Sequence, residues 1–304
     1  MSDQRPTVRP VTLARLVEIT DACLNSSQTM SNLEEQFDTT ERRLRSIVLE
    51  SLRLDLIRTL QSTDDGRDDE VDRYRVTTVG EQFHEAVTDE DWRQVSSILE
   101  TRSPHYGAFL SVLEEIQPAE LQTLLAELED RNEHTPYAFN QTGVEVVGDW
   151  AERLGVIQRN AFTGTYYVVD RSTVPPNFPF VLLAVFDELE ERTGVNLSQR
   201  YVSIPELREF LCERVRCDRD AFDTGLTTLV GQNIGKLELL GAPTDTGAKD
   251  AEWGIKQIRL ADDEEGLVTT THSTEQVMAG VEQYGKRYYY LAVHDDAVTF
   301  DPEP

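Results

Sequence analysis

The chain has 304 residues, of which 29 are Lys or Arg and 56 are Asp or Glu, so its formal net charge is −27. A hydrophobic content of 39% is enough for packed cores and excludes a wholly disordered chain. No apolar run approaches the ~18 residues of a membrane helix, and the polar N-terminus lacks the apolar segment of a secretory signal. We therefore expect a cytoplasmic protein that does not enter a membrane, with its three cysteines reduced.

The composition is poor in lysine as well as rich in acids, because only four of the 29 basic residues are Lys. This combination resembles the proteins of salt-loving archaea, in which an acidic surface keeps the chain in solution at high salt. At about 1 M salt the Debye length is about 3 Å, so local contacts rather than net charge decide binding. We favour this interpretation over a specific acidic function such as mimicry of DNA.

The charge is distributed unevenly along the chain. Residues 1–60 contain eight Arg and nine acids, a net charge of −1, and residues 224–260 contain four basic and four acidic residues, a net charge of zero. Nearly all of the negative charge therefore lies outside these two windows, which are the first places to look for a polyanionic partner.

Residues 12–24 have the apolar spacing of an amphipathic helix, and a short helix is predicted after Ser31. A third helix is predicted from TERRLRSIVLESLRLDLI, followed by a polar loop, an extended segment from Tyr74 to Gly80 and another helix. This order resembles a winged helix-turn-helix, and YRVTTVGEQFHEAV resembles the second wing strand and following helix of archaeal winged-helix modules. The resemblance covers about residues 10–90 and implies a first domain at 1–90.

The rest of the chain is predicted to contain a helical connector and two further modules of the same type. Residues 91–131 are helical in pattern and suit a connector or dimerisation segment. Residues 132–173 resemble a partial winged helix, with a helix that ends near Gly155 and a hairpin turn at Thr163-Gly164-Thr165. Residues 178–260 resemble a third, with three helices, a strand at 236–240 and a returning strand at 253–260. A small α/β extension is predicted at 261–304, and the fold class is α+β, mostly α.

No pattern in the sequence indicates catalysis, a metal or a cofactor. The five histidines are scattered, no CxxC pair is present, and GxSxG, HExxH and P-loop sequences are absent. The acid two residues before a lysine that one large nuclease class requires is also missing. We therefore expect a protein that is not an enzyme and carries no cofactor.

Two basic groups are the candidate contacts with double-stranded DNA. Arg42, Arg43 and Arg45 open the third helix, where a helix-turn-helix meets base edges and phosphates, and Arg53 is predicted near the same face. The predicted hairpin of the third module supplies the second group, Lys236, Lys249, Lys256 and Arg259, as a wing that touches phosphate. In both places an ordinary solvated charged surface remains the alternative.

The sequence thus predicts a non-catalytic DNA-binding protein, either a transcriptional regulator or the DNA-recognition subunit of a DNA-processing or defence assembly. The alternative is a protein–protein adaptor that uses winged helices as scaffolds and does not bind DNA, since this fold serves both uses. A protein partner or a homodimer remains open in either case.

Overall fold

A computed structural model describes residues 6–37, 39–60, 72–193, 201–241 and 277–301. Within these ranges the chain divides into two compact units, residues 6–156 and residues 157–301. Helices predominate and every sheet is small and antiparallel, so the predicted α+β, mostly helical class is confirmed. None of the described helices is long and apolar enough to cross a membrane.

The first unit contains eight of the described helices and one three-stranded sheet. The helices are α1 (Leu13–Ala22), α2 (Met30–Gln36), α3 (Glu41–Arg53), α4 (Thr78–Thr88), α5 (Trp92–Arg102), α6 (Pro104–Ile116), α7 (Leu121–Arg131) and α8 (Gln141–Arg153). The strands are β1 (Gln28–Thr29), β2 (Ile57–Leu60) and β3 (Arg73–Val76), and they lie in the order β1-β3-β2.

The apolar stripes of the sequence form the core of this unit. Leu13 and Leu16 of α1 and Leu44 of α3 are fully buried, as their helical spacing predicts. Trp150 of α8 is also fully buried, and its indole Nε1 donates a hydrogen bond to the Val11 carbonyl at 2.9 Å. The Trp150 contact links the beginning of the unit to its last helix.

Thr77 and Gly80 fix the point at which β3 turns into α4. The Thr77 amide donates to the Leu56 carbonyl at 3.0 Å, and its hydroxyl accepts from the Gly80 amide at 3.0 Å as the N-cap of α4. A Cβ on Gly80 would lie 2.0 Å from the Leu56 carbonyl oxygen. In the Thr-x-x-Gly sequence, the threonine therefore caps α4 and the glycine allows the helix backbone to lie against the Leu56 carbonyl.

The helices predicted over residues 91–131 are present as α5, α6 and α7, and Pro104 lies in the first turn of α6, where proline is tolerated. The predicted hairpin around Gly164 is present too, as β4 (Ile157–Arg159) paired with β5 (Tyr166–Val168). However, α8 belongs to the first unit and this hairpin to the second. The parts of the predicted 132–173 module therefore pack into different cores, which the sequence pattern alone does not reveal.

The second unit contains the β4–β5 hairpin, three helices and two further sheets. The helices are α9 (Phe178–Thr193), α10 (Ile204–Val215) and α11 (Arg219–Gln232). The remaining strands are β6 (Tyr201–Ser203), β7 (Leu237–Leu240), β8 (Val281–Gln283), β9 (Lys286–Tyr288) and β10 (Tyr290–Val293). Strands β8 and β9 form a hairpin, and the other sheet has the order β6-β10-β7.

The position of β10 differs from the expected organisation of the C-terminal region. The sequence predicts that residues 253–260 return beside residues 236–240 and that 261–304 form an extension, but β10 is the described strand that pairs with β7. Leu291 of β10 is opposite Leu239 of β7 and Val202 of β6, and all three are buried. The C-terminal segment therefore supplies the central strand of this sheet, while residues 253–260 lie outside the described residues.

A buried ion pair joins α10 to α11 and to the β4–β5 hairpin. Arg219 Nε donates to Glu209 Oε1 at 2.6 Å, and a second guanidinium nitrogen donates to Oε2 at 3.0 Å. The Glu209 side chain is fully buried and that of Arg219 is 5% exposed. The Ala161 amide donates to the same carboxylate, and the Arg159 carbonyl accepts from Arg219. Every charged oxygen in this cluster therefore has a partner.

Candidate nucleic-acid interface

The beginning of α3 exposes three arginines to solvent. Arg42, Arg43 and Arg45 are all exposed, whereas Leu44 and Ile47 of the same helix are buried. Neither Arg42 nor Arg45 forms an ion pair with any described residue. Because a helix N-terminus also carries partial positive charge, this end of α3 suits an anionic ligand.

A groove of about 350 Å³ runs between α3 and the sheet of the first unit. Arg45 and the half-exposed Leu49 line it from α3, and Thr59 and Tyr74 line it from β2 and β3. Arg45 lies close enough to Tyr74 to lower its pKa, although burial and the nearby Asp72 raise that pKa more strongly. Arg45 therefore faces the groove between α3 and the sheet.

Arg53 does not belong to this exposed cluster. Its guanidinium donates to the Thr7 carbonyl at 3.1 Å, forms an ion pair with the fully buried Glu50 and contacts His105 Nδ1 at 3.5 Å. Arg53 is predicted near the face of Arg42, Arg43 and Arg45, but Glu50 one turn earlier holds its guanidinium toward the core instead. Burial also lowers the pKa of Arg53, against the raising effect of the Glu50 carboxylate.

His105 lies between Arg53 of α3 and the segment that precedes α8. Its Nε2 lies 3.0 Å from the Ala138 carbonyl oxygen, to which it can donate, and its Nδ1 lies 3.5 Å from a guanidinium nitrogen of Arg53. Burial, and then the Arg53 charge, lowers the pKa of His105 from 6.5. A neutral imidazole therefore joins α3 to the segment before α8.

We expect acid to weaken the first unit through His105. Because the pKa is depressed in the folded chain, the stabilisation is present above the unfolded value of 6.5 and is lost as pH falls through the folded pKa. Thermal melting of the wild type and of His105→Gln from pH 7.5 to 5 measures this, since glutamine is polar but does not titrate. The advantage of the wild type should shrink as pH falls, and a constant difference would contradict the assignment.

The sheet of the first unit presents three further arginines that the sequence analysis did not single out. Arg58 of β2 is directly opposite Arg75 of β3, and Arg73 lies two residues before Arg75. All three are exposed, while Tyr74 and Val76 between and after them are buried. The alternation of Arg73-Tyr74-Arg75-Val76 contains this signal, because a period of two places both arginines on one face of a strand.

The second predicted basic group is not assembled among the described residues. Lys236 donates its ammonium to the Ala297 carbonyl and so holds the C-terminal segment. Lys249, Lys256 and Arg259 lie outside the described residues. The helix α11, which precedes Lys236, has Arg219 as its one basic residue, and that side chain is buried against Glu209.

No group of three or more His, Cys, Asp or Glu residues in the described ranges is arranged to hold a metal ion. The sulfur atoms of Cys212 and Cys217 lie 3.7 Å apart, but both thiols are buried and free. Burial raises the pKa of Cys212 well above its ordinary value, which opposes formation of the thiolate that ligates metals.

Comparisons with known proteins do not assign a family. No family model matches the chain, and no curated protein matches it. One solved structure, described as the magnesium ion-bound SspB crystal structure, aligns over 79% of this chain and 80% of its own, with 12% identity and a TM-score of 0.40. A similarity of this size supports no conclusion about fold or function.

Proposed function

We propose that the chain is a non-catalytic, cytoplasmic DNA-binding protein with tandem winged-helix modules, acting as a transcriptional regulator or as the DNA-recognition subunit of a DNA-processing or defence assembly. The observation that carries the proposal is the exposed group Arg42, Arg43 and Arg45 at the beginning of α3. In a helix-turn-helix the beginning of the recognition helix, to which α3 would correspond, enters the major groove. Arginine suits both guanine and phosphate, through paired hydrogen bonds.

The order of elements in each unit supports the winged-helix part of the proposal. The first unit runs α1-β1-α2-α3-β2-β3 with the sheet order β1-β3-β2. The second runs α9-β6-α10-α11-β7 and then β10, with the equivalent sheet order β6-β10-β7. In both units the last strand, β3 or β10, lies at the centre of the sheet. It pairs on one side with the strand that precedes the second helix and on the other with the strand that follows the third helix. By this correspondence α3 and α11 hold equivalent positions.

The clustering of exposed arginines, rather than the net charge of the first unit, supports assigning DNA binding to α3 and the sheet beside it. Within a chain of net charge −27, the exposed arginines of α3, β2 and β3 are gathered in that unit, at helix and strand positions that leave them facing solvent. At high salt the repulsion between distant acids and phosphates is screened, while contacts within a few ångströms persist.

The test is the triple variant Arg42→Ala, Arg43→Ala, Arg45→Ala in a gel-shift titration of duplex DNA from 0.2 to 2 M KCl. Loss of three phosphate or base contacts should weaken binding by about 30-fold or more at 0.2 M KCl. The control Arg93→Ala, Arg102→Ala, Arg131→Ala removes the same charge from α5 and α7 and should bind as the wild type does. Equal loss in both variants, or a triple variant that binds normally, would refute the role of α3.

The adaptor alternative is favoured by one observation in the second unit. There α11 exposes Asp220 and Thr224 and offers no exposed cation, although it holds the position equivalent to α3. This surface would repel phosphate and suits a protein partner with basic groups. If the wild type shifts no DNA at any salt, and Asp220→Arg abolishes recovery of a protein partner from lysate, the adaptor function replaces DNA binding.

A further inference from the structure

The exposed face of the sheet of the first unit is unusual for this chain. The strands β1, β2 and β3 together contain ten residues, with three arginines and no acid, although acids outnumber bases 56 to 29 overall. The equivalent strands β6, β7 and β10 contain no basic residue and one acid, Glu238. Solvent adaptation alone would favour acids on this face, so it does not explain the arginines.

The register places two of these charges side by side. Arg58 and Arg75 are direct cross-strand partners, and side chains in that relation have Cβ atoms about 5 Å apart. Like charges in this arrangement destabilise a sheet unless an anion lies between them. No carboxylate of the described residues lies within 4 Å of either guanidinium or of Arg73.

Several other arginines of the unit do have a carboxylate partner. Arg15, Arg102 and Arg131 are also surface residues, and each has a carboxylate partner in the same unit. Two guanidiniums that are held by adjacent strands, and that have no carboxylate partner among the described residues, can share the oxygens of one phosphate group, because each offers several donors in a fixed plane.

We infer that the exposed face of the β1-β3-β2 sheet, through Arg58, Arg75 and Arg73, binds the phosphate backbone of the DNA as a second contact separate from the arginines of α3. This inference rests on the proposed function and adds the residues that carry the sequence-independent part of the affinity. The contact is made by the strands themselves, whose main chain is fixed by pairing. Phosphate contacts position a protein without reading sequence, so this face should contribute equally on every duplex.

The experiment measures the salt dependence of DNA binding by the full chain with Arg58→Gln and Arg75→Gln combined. Each phosphate contact contributes about 0.9 to the slope of log Kobs against log [KCl], so the double variant should lose about 1.8 from the slope. Affinity should fall by about 10- to 20-fold at 0.2 M KCl, to the same extent on two unrelated duplexes. The melting temperature should be unchanged or higher, because the repulsion between the two like charges has been removed.

The matched control is Arg93→Gln combined with Arg287→Gln, which removes two exposed arginines that form no ion pair with described residues. Its slope should equal that of the wild type. An unchanged slope in the Arg58/Arg75 variant, while the α3 triple variant has lost binding, would overturn this inference and leave the proposed function standing. Equal slope losses in test and control variants would also overturn it, and a wild type that binds no DNA would overturn both.

Discussion

Replacing Arg219 by methionine is expected to lower the free energy of unfolding of the second unit by about 3–5 kcal/mol. The change leaves the Glu209 carboxylate, which is fully buried, without the guanidinium that bonds both of its oxygens. A buried charge without its partner keeps its desolvation cost and loses the compensating attraction. The Arg159 carbonyl loses a donor at the same time.

The comparison that isolates this effect is the double variant Arg219→Met, Glu209→Leu. Removing both charges should recover most of the lost stability, because an ion pair and an apolar pair of similar volume are often close in energy. Urea unfolding followed by far-UV circular dichroism measures all three proteins. A loss below about 1 kcal/mol in the single variant would mean that water reaches Glu209 and that the cluster is not as closed as its burial indicates.

Gly80→Ala should destabilise the first unit by about 3 kcal/mol, the upper part of the range for overpacked sites. The new methyl group would lie 2.0 Å from the Leu56 carbonyl oxygen and 2.7 Å from a methyl group of Val76. Neither neighbouring group can move aside easily. The Leu56 carbonyl accepts a hydrogen bond from the Thr77 amide, and Val76 is paired with Ile57 in the sheet. The beginning of α4 would have to move away from the sheet and would weaken the cap.

The control for this substitution is Gly231→Ala in α11, where an added Cβ meets nothing within 4 Å. Alanine should be neutral there or stabilising by about 0.5–1 kcal/mol, because it removes backbone freedom from the unfolded chain. Thermal melting of both variants gives the contrast. Similar melting temperatures for the two would show that the close approach of Gly80 to Leu56 relaxes without cost.

The parts of the fold that follow a local rule could be predicted from the sequence. The stripe that buries Leu44 and Ile47 predicts both α3 and the exposure of Arg42, Arg43 and Arg45, because one helical period fixes both faces. The side chain of Arg53 could not be placed in this way. Its position depends on Thr7 and His105, which are about 50 residues away in sequence on either side.

Pairing between strands that are distant in sequence could not be predicted, for the same reason. The expectation that residues 253–260 return beside β7 assumes that neighbouring strands in sequence pair, which holds for β4 and β5. Residues 253–260 lie outside the described residues, so that expectation stays a prediction. In the described sheet β7 pairs with β10, where Leu291 lies opposite both Leu239 and Val202. The juxtaposition of Arg58 and Arg75 in the first unit could not be predicted either. The two residues are 17 positions apart in sequence, and only the register between β2 and β3 shows that they are neighbours.

The central position of β10 has a consequence for how the two sheets fold. Leu240 and Tyr290 are separated by 49 residues, whereas Leu60 and Arg73 are separated by 12. Closing a flexible loop costs about 0.6 kcal/mol for each doubling of length, which disfavours the second sheet by about 1.2 kcal/mol as long as the β8–β9 hairpin within its connection has not formed. Pairings that are distant in sequence also form more slowly. Two sheets with the same strand order therefore have different folding kinetics, and until β10 docks, β6 and β7 lack the strand that joins them.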